Sequence, residues 1–436
     1  MLPVLITSTA ILLIAFGLGL HVATTIGLTA MATGWLFSPR PVWDILSYIP
    51  WNVVTTSSLV ALPLFIMMGE LLLRIGVTDQ MYGSLAKWTA RLPGSLIHTN
   101  VVASGLFACI SGSSAATAAT IGGVALPYMR ARGYDNRLTL GSVAAGGTLG
   151  ILIPPSIVMI VYGVLAEASI GQLYMAGIVP GVVMMLAFMA VIFIAVKITP
   201  SKAPMEPPTS WGEKIYSILG LLPVLGLIAC VLGTIYVGIA TATEAAAFGV
   251  TGAAVLALLY RKLNRHTLRA TFLATATTTG MIMFILVGAF VLQFVVSFLG
   301  IPAALTRAAI SLNLSAMQMV LLILALYLVL GMFMESLSMV VITIPILLPV
   351  LRSLGVDMVW FGILVVIMVE IALITPPVGM NLFILQTMAK NIDGKPGKSS
   401  DVIVGILPFL GAMLFVLGMV VMFPDIAMWL VRQAKG

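Results

Sequence analysis

Two short stretches carry side chains whose types and spacing could hold an ion. Ser111-Gly-Ser-Ser-Ala-Ala-Thr117 sets the hydroxyls of Ser111, Ser113, Ser114 and Thr117 around Gly112. Gly146-Gly-Thr-Leu-Gly-Ile-Leu-Ile-Pro-Pro-Ser156 ends in paired prolines. Pro154 and Pro155 each remove a backbone donor and clash with the preceding turn, which frees carbonyls near Gly150 and Ile153. Gly112 lets neighbouring carbonyls turn inward. Hydroxyls and unwound carbonyls together suit a hard cation such as Na⁺ without burying a formal charge. The two breaks therefore predict a Na⁺ site between them. The competing reading is that small residues are there only to let helices approach closely.

A second pair of stretches repeats this plan with acidic chemistry. Gly331-Met-Phe-Met-Glu335-Ser-Leu-Ser338 is matched with Glu370-Ile-Ala-Leu-Ile-Thr375-Pro-Pro-Val-Gly379-Met-Asn381. Glu335, Ser336, Thr375 and nearby carbonyls could hold a second cation. A carboxylate near a bilayer centre costs about 2.5 to 3.5 kcal/mol on insertion scales, which makes Glu335 and Glu370 functional candidates. Glu70 has a simpler explanation, an ion pair with Arg74 one turn on. Glu244 is balanced between capping a helix N-terminus and a functional role.

These stretches need elements that hold them at membrane depth. Of 436 residues, 61% are hydrophobic and 8% charged, so the chain is an all-α polytopic membrane protein. Long continuous apolar runs exclude a membrane barrel. The net charge of +7 is explained by basic cytoplasmic loops rather than by nucleic acid. Cys109, Cys230 and the scattered His21, His98 and His266 offer no disulfide or metal spacing. Residues 1–20 lack a basic leader and a cleavage pattern, and are expected to be a retained first helix.

Ten crossings are expected, at 3–20, 22–37, 58–76, 136–163, 172–196, 215–238, 243–260, 270–298, 357–389 and 402–423. Two interrupted apolar blocks, 95–129 and 316–351, are either two helices each or re-entrant hairpins. Taken as hairpins, they place 16 basic residues on one side, within the loops 74–98, 130–137, 197–214, 261–269 and 390–401. Arg40, Arg307, Arg352, Arg432 and Lys435 fall on the other, and 16 plus 5 is the total of 21. The bias makes the first side cytoplasmic. Residues 40–56, with Trp43, Tyr48 and Trp51, suit a helix lying in the interface. The proline-rich 197–214 is the expected linker.

Sliding the chain by 222 residues puts Pro127 on Pro349, Gly133 on Gly355, Asp135 on Asp357, and Pro154-Pro155 on Pro376-Pro377. Each half then holds five crossings and one hairpin. The first is 1–210, with hairpin 95–129 and broken helix 136–163; the second is 211–436, with hairpin 316–351 and broken helix 357–389. An odd number of crossings inverts the second copy, and inverted repeats with discontinuous helices are the architecture of secondary transporters.

The motifs Ser111–Gly122, Gly147–Ser156, Ala242–Gly249 and Ile374–Asn381 resemble the large membrane subunit of tripartite ATP-independent periplasmic (TRAP) transporters along essentially the whole chain. The resemblance implies an elevator mechanism in the bacterial inner membrane, with Na⁺-driven uptake of an organic acid such as a C4-dicarboxylate or sialic acid. It implies two partners, a periplasmic substrate-binding protein and a small four-helix membrane subunit, here expected as a separate chain. Na⁺ would be the coupling ion, with no other cofactor. By position, the first Na⁺ site would involve Ser111, Ser113, Gly150, Ile153 and Pro155, and the second Glu335, Ser336 and Thr375. The halves do not match throughout, since Ser113 aligns with Glu335 and Gly150 with Ala372. Ser114, Thr117, Ser156, Glu370 and Asn381 are candidates for the solute cavity. The main rival is a stand-alone Na⁺/dicarboxylate symporter of similar design. An intramembrane enzyme would need a nucleophile with its base or a metal cluster, and the sequence supplies neither.

Overall fold

The computed structural model describes residues 2–38, 48–332, 334–376, 379–393 and 399–434. Lipid cannot satisfy free backbone groups, and every regular element among these residues is helical. The first ten helices are α1 (Leu2–Gly17), α2 (Val22–Phe37), α3 (Tyr48–Thr55), α4 (Ala61–Arg74), α5 (Val77–Thr89), α6 (Leu96–Ser111), α7 (Ser114–Ala131), α8 (Asn136–Leu152), α9 (Ile157–Leu165) and α10 (Ile170–Ile198). Ten more follow: α11 (Trp211–Tyr236), α12 (Ala242–Leu259), α13 (Arg265–Phe298), α14 (Ile301–Ser311), α15 (Ala316–Gly331), α16 (Ser336–Ser353), α17 (Met358–Ile374), α18 (Met380–Asp393), α19 (Ser399–Met422) and α20 (Asp425–Gln433).

Local backbone recurs between the two sets. Asp135 caps α8 by accepting the Leu138 amide at 2.8 Å, and Asp357 caps α17 by accepting those of Val359 and Trp360 at 2.8 and 2.9 Å. The glycine two residues before each cap is left-handed, with φ of +74° at Gly133 and +72° at Gly355. Ile153 ends α8 with φ −84° and ψ 123°, and Thr375 ends α17 with φ −86° and ψ 126°. The matching glycines, caps and prolines thus mark the same turns in both sets.

The two interrupted helices form the centre. Every residue of α8 from Leu138 to Leu152, and of α17 from Val359 to Ile374, is buried. In α8 the surface is mostly Gly, Ala, Ser and Thr, which lets α6, α7 and α19 approach closely. A Cβ on Gly147 would lie 2.6 Å from the Ala118 Cβ, and one on Gly146 would lie 2.7 Å from the Ser104 Oγ.

Among the described residues seven helices are long and apolar enough to span a bilayer, or eight with the pair α8–α9, which bends by 41°. Six of the seven coincide with expected crossings. The seventh, α16, is a hairpin arm, and 67% of its apolar window is wrapped in protein rather than facing lipid. The expected crossings 3–20 and 22–37 contain helices of 16 residues each, about 24 Å at 1.5 Å per residue and so short of a 30 Å core. The remaining crossing, 357–389, is α17 followed by α18, and Pro377 and Val378 of its break lie outside the described residues, as does Phe333 of the second tip. Of the interface segment 40–56, residues 40–47, Trp43 among them, also lie outside the described residues, while Tyr48 and Trp51 on α3 are exposed.

The segment after α10 is strapped to the base of the first hairpin. Lys202 and Pro204 offer their carbonyls to the Asp135 amide at 2.9 Å and the Tyr134 hydroxyl at 3.2 Å, and Arg132 lies 3.7 Å from Glu206. The hairpin bases also reach across the chain. Arg137 pairs with Asp401 at 2.8 Å and Arg352 with Glu167 at 3.0 Å. Partly exposed pairs of this kind contribute at most about 1 kcal/mol each, so they register the halves more than they stabilise them.

Candidate functional site

The first tip is made where α6 stops and α7 starts. Gly112 closes α6 with a left-handed φ of +57°, and Ser113, in extended backbone, caps α7 by accepting the Ala116 amide. The tip oxygens then converge. The Ser111 and Thr117 hydroxyls lie 2.8 Å apart, and Thr117 donates to the Ser113 carbonyl at 2.8 Å. Gly150 faces this cluster: a Cβ there would sit 2.6 Å from the Ser113 carbonyl oxygen and 2.7 Å from the Thr117 Oγ1. Because residues 154 and 155 are prolines, the carbonyls of Gly150 and Ile151 have no helical donor.

Pro155 meets the tip through its backbone, since a Cβ on Gly112 would be 2.8 Å from the Pro155 carbonyl oxygen. The Pro154–Pro155 peptide is cis. Ile153 joins through its backbone at the end of α8, while its side chain turns towards Gly105 and Gly181. Ser114 ties the tip to α8 by donating to the Thr148 carbonyl at 3.1 Å. Ser156 caps α9 by accepting the Met159 amide at 3.4 Å. Ser111, Ser113, Thr117 and Gly150 thus form one oxygen-lined cluster.

The second tip is built differently. Glu335 occupies the position of Ser113, and its carboxylate caps α16. It accepts the amides of Leu337 and Ser338 at 3.0 and 3.2 Å and the hydroxyls of Ser336 and Ser338 at 2.6 and 3.2 Å. Four donors and the helix dipole hold the acid at the tip. Thr375 donates its hydroxyl to the Ile371 carbonyl at 2.6 Å. No described hydrogen bond joins Glu335 or Ser336 to Thr375. Glu244 likewise caps, in a reciprocal box with Thr241 at 2.8 Å, and Glu70 pairs with Arg74 at 2.9 Å.

Both tips open into one cavity of about 320 Å³. Gly112 to Ala115 line one side and Glu335 to Ser338 another, with Ile151 and Leu373 contributed by the helices next to each break. The remaining wall comes from His21 and Val22, from Thr278, Met281, Ile282 and Ile285 of α13, and from Ile157, Val158 and Met380 beyond the two breaks. Of the solute candidates Ser114 lines the cavity, whereas Thr117, Ser156, Glu370 and Asn381 lie behind its described lining. Glu370 and Asn381 are wholly buried, and their polar side-chain atoms have no hydrogen-bond partner among the described residues.

The α2 and α13 wall is absent from the sequence-based expectation. Its contacts join residues more than 250 positions apart, and His21, just before α2, and Thr278, within α13, have no motif around them. The one available signal was His21 itself, an ionisable residue between two apolar runs.

Residues 7–426 match the family model described as the DctM component of tripartite ATP-independent periplasmic transporters. The chain is 35% identical over 408 residues to the C4-dicarboxylate TRAP transporter large permease protein DctM of Pseudomonas aeruginosa, covering 93% of each. It is 33% identical to the isethionate TRAP transporter permease protein DctMQ of Oleidesulfovibrio alaskensis, covering 98% of this chain and 66% of that one. In fold it is similar to the YdaH transporter of Alcanivorax borkumensis, with a TM-score of 0.61 at 14% identity over 94% of this chain and 97% of that one. A match across nearly the whole length, on a multi-pass helical frame with two paired helix breaks, settles the family: the chain belongs to the DctM family of TRAP transporter permeases, which are not enzymes.

Proposed function

We propose that this permease carries an organic acid across a bacterial inner membrane in symport with Na⁺, moving its hairpins and broken helices as an elevator within an inverted-repeat frame. The cavity shared by the two tips is the observation that carries this reading. A helix N-terminus opens there at α7, where the amides of Ser114 and Ala115 precede the first helical acceptors. Such a terminus favours an anion. The relatives named above are described for a C4-dicarboxylate and for isethionate, both organic anions. The cluster of Ser111, Ser113 and Thr117 against Gly150 supplies neutral oxygens for Na⁺ beside the anion, and Glu335 with Ser336 and Thr375 is the second candidate. A periplasmic substrate-binding protein would deliver the solute, and a small membrane subunit would complete the complex. The relative named DctMQ, only 66% of which this chain covers, supports such a partner.

Ser113→Ala is expected to raise the Na⁺ concentration for half-maximal uptake about fivefold, the scale of one neutral ligand worth about 1 kcal/mol. The assay is uptake by proteoliposomes holding both membrane subunits, with binding protein added outside. An unchanged Na⁺ response would remove the Ser113 hydroxyl from the site. For topology, an impermeant maleimide is expected to react with only one of Gly133→Cys and Gly355→Cys in intact cells, and with the other only after the membrane is opened. A Cβ at either glycine would meet no heavy atom within 4 Å, so both positions have room for the new side chain. Their left-handed backbone adds a strain of about 1–2 kcal/mol, which a protein of this size survives. Same-face labelling would rule out inversion.

A further inference from the structure

We infer that His21 is a specificity-determining residue that holds the anionic group of the solute from the α2 and α13 wall of the tip cavity. This rests on the reading of the tip cavity as the solute site.

Among the described residues lining that cavity, only His21 and Glu335 can ionise. Glu335 is committed to its own helix by two amides and two hydroxyls, and its carboxylate repels another anion. His21 has no such commitment. It stands at the N-cap position of α2, yet its side chain makes no capping hydrogen bond. A cap there would be served by Ser, Thr, Asp or Asn, and a histidine gives up that stabilisation. The corresponding second helix of the other set, α12, does have such a cap, the reciprocal pair of Thr241 and Glu244. The residue at the start of α2 is therefore not explained by the helix it begins.

Its surroundings explain it better. α2 packs closely along α13, where a Cβ on Gly288 would lie 3.1 Å from the Ala23 carbonyl oxygen. That contact fixes the start of α2 against the α13 residues that line the cavity. Val22, Met281, Ile282 and Ile285 make most of this wall apolar, leaving the imidazole and the Thr278 hydroxyl as its polar groups. An imidazole offers one N–H when neutral and two when protonated, and both forms can donate to a carboxylate or sulfonate oxygen. The solute anion then lies between the α7 amides and the His21 ring. A neutral solute gains little from either.

The test uses the complete complex in proteoliposomes with saturating binding protein, and radiolabelled succinate, N-acetylneuraminate and isethionate as probes. For whichever probe the wild-type complex accumulates, His21→Leu is expected to lower the initial rate about tenfold, the scale of one charge-assisted hydrogen bond. The half-saturating Na⁺ concentration should not move. His21→Lys keeps a donor and a charge, and should retain at least about a third of the rate. An unchanged rate in His21→Leu would overturn the assignment. A His21→Lys variant as slow as His21→Leu would also overturn it, since that pattern reports packing. Uptake of none of the three by the wild-type complex would overturn the underlying reading of the cavity itself.

Discussion

Gly150→Ala is expected to abolish Na⁺-driven uptake, by at least about a hundredfold, while the protein still inserts and purifies. The added methyl would lie 2.6 Å from the Ser113 carbonyl oxygen and 2.7 Å from both its carbonyl carbon and the Thr117 Oγ1. Two of these three atoms are backbone of a tip held at both ends by helices, so no side-chain rotation relieves the clash. The tip must move off α8, and the oxygens that converge there must separate. Overpacking of this kind typically costs about 1–3 kcal/mol, which a large helical protein survives and an ion site does not. Uptake at saturating Na⁺, set against the amount of monodisperse protein extracted, separates the two effects. Retention of more than a tenth of the rate would show that the tip tolerates displacement and that Gly150 serves packing alone.

Glu370→Leu is expected to act in opposite directions on stability and transport. The carboxyl is wholly buried in α17, one turn before its break, and neither oxygen has a partner among the described residues. Burying a polar group without a hydrogen bond costs roughly 1–3 kcal/mol on mutational scales. An apolar side chain of similar length removes that cost, so thermal unfolding in detergent should shift upward by a few degrees. Uptake should fall at least tenfold, because an acid retained inside a membrane helix against its own desolvation is expected to serve function. A stabilised variant with wild-type transport would show that Glu370 is dispensable.

Much of the frame was legible because helix punctuation is written in rare residues. Gly133, Asp135 and Pro154 each dictate a local backbone state, and their partners at Gly355, Asp357 and Pro376 dictate the same one. The oxygen cluster of the first tip was legible for a related reason: Ser111, Ser113 and Gly150 are small, and their convergence follows from two breaks facing each other. The role of Glu335 was harder to read. An acid followed by Ser336 and Ser338 is also the signature of a capped helix start, and capping is where the described hydrogen bonds place it. The mismatch of Gly150 with Ala372 also has a structural reason. In the first crossing the glycine belongs to the broken helix; in the second the hairpin supplies it, as Gly331 packed on Ala372. One small residue per crossing is enough. The α2 and α13 wall stayed hidden because neither helix separates an apolar from a polar face, so the sequence does not say which face meets which neighbour.

The commitment of Glu335 to its own helix leaves the two ends of the cavity unlike. At one end α7 presents amides with no side-chain acid among them; at the other the carboxyl of Glu335 already occupies the start of α16. On the proposed reading of this cavity, a solute carrying its charge at one end would enter with a preferred heading, acid group foremost towards α7 and its tail towards α16. Molecules charged at both ends must meet Glu335 with one of them, so spacing between acid groups becomes a sieve. The permease would then rank acids by length as well as by charge, even before any selection by a partner that delivers them.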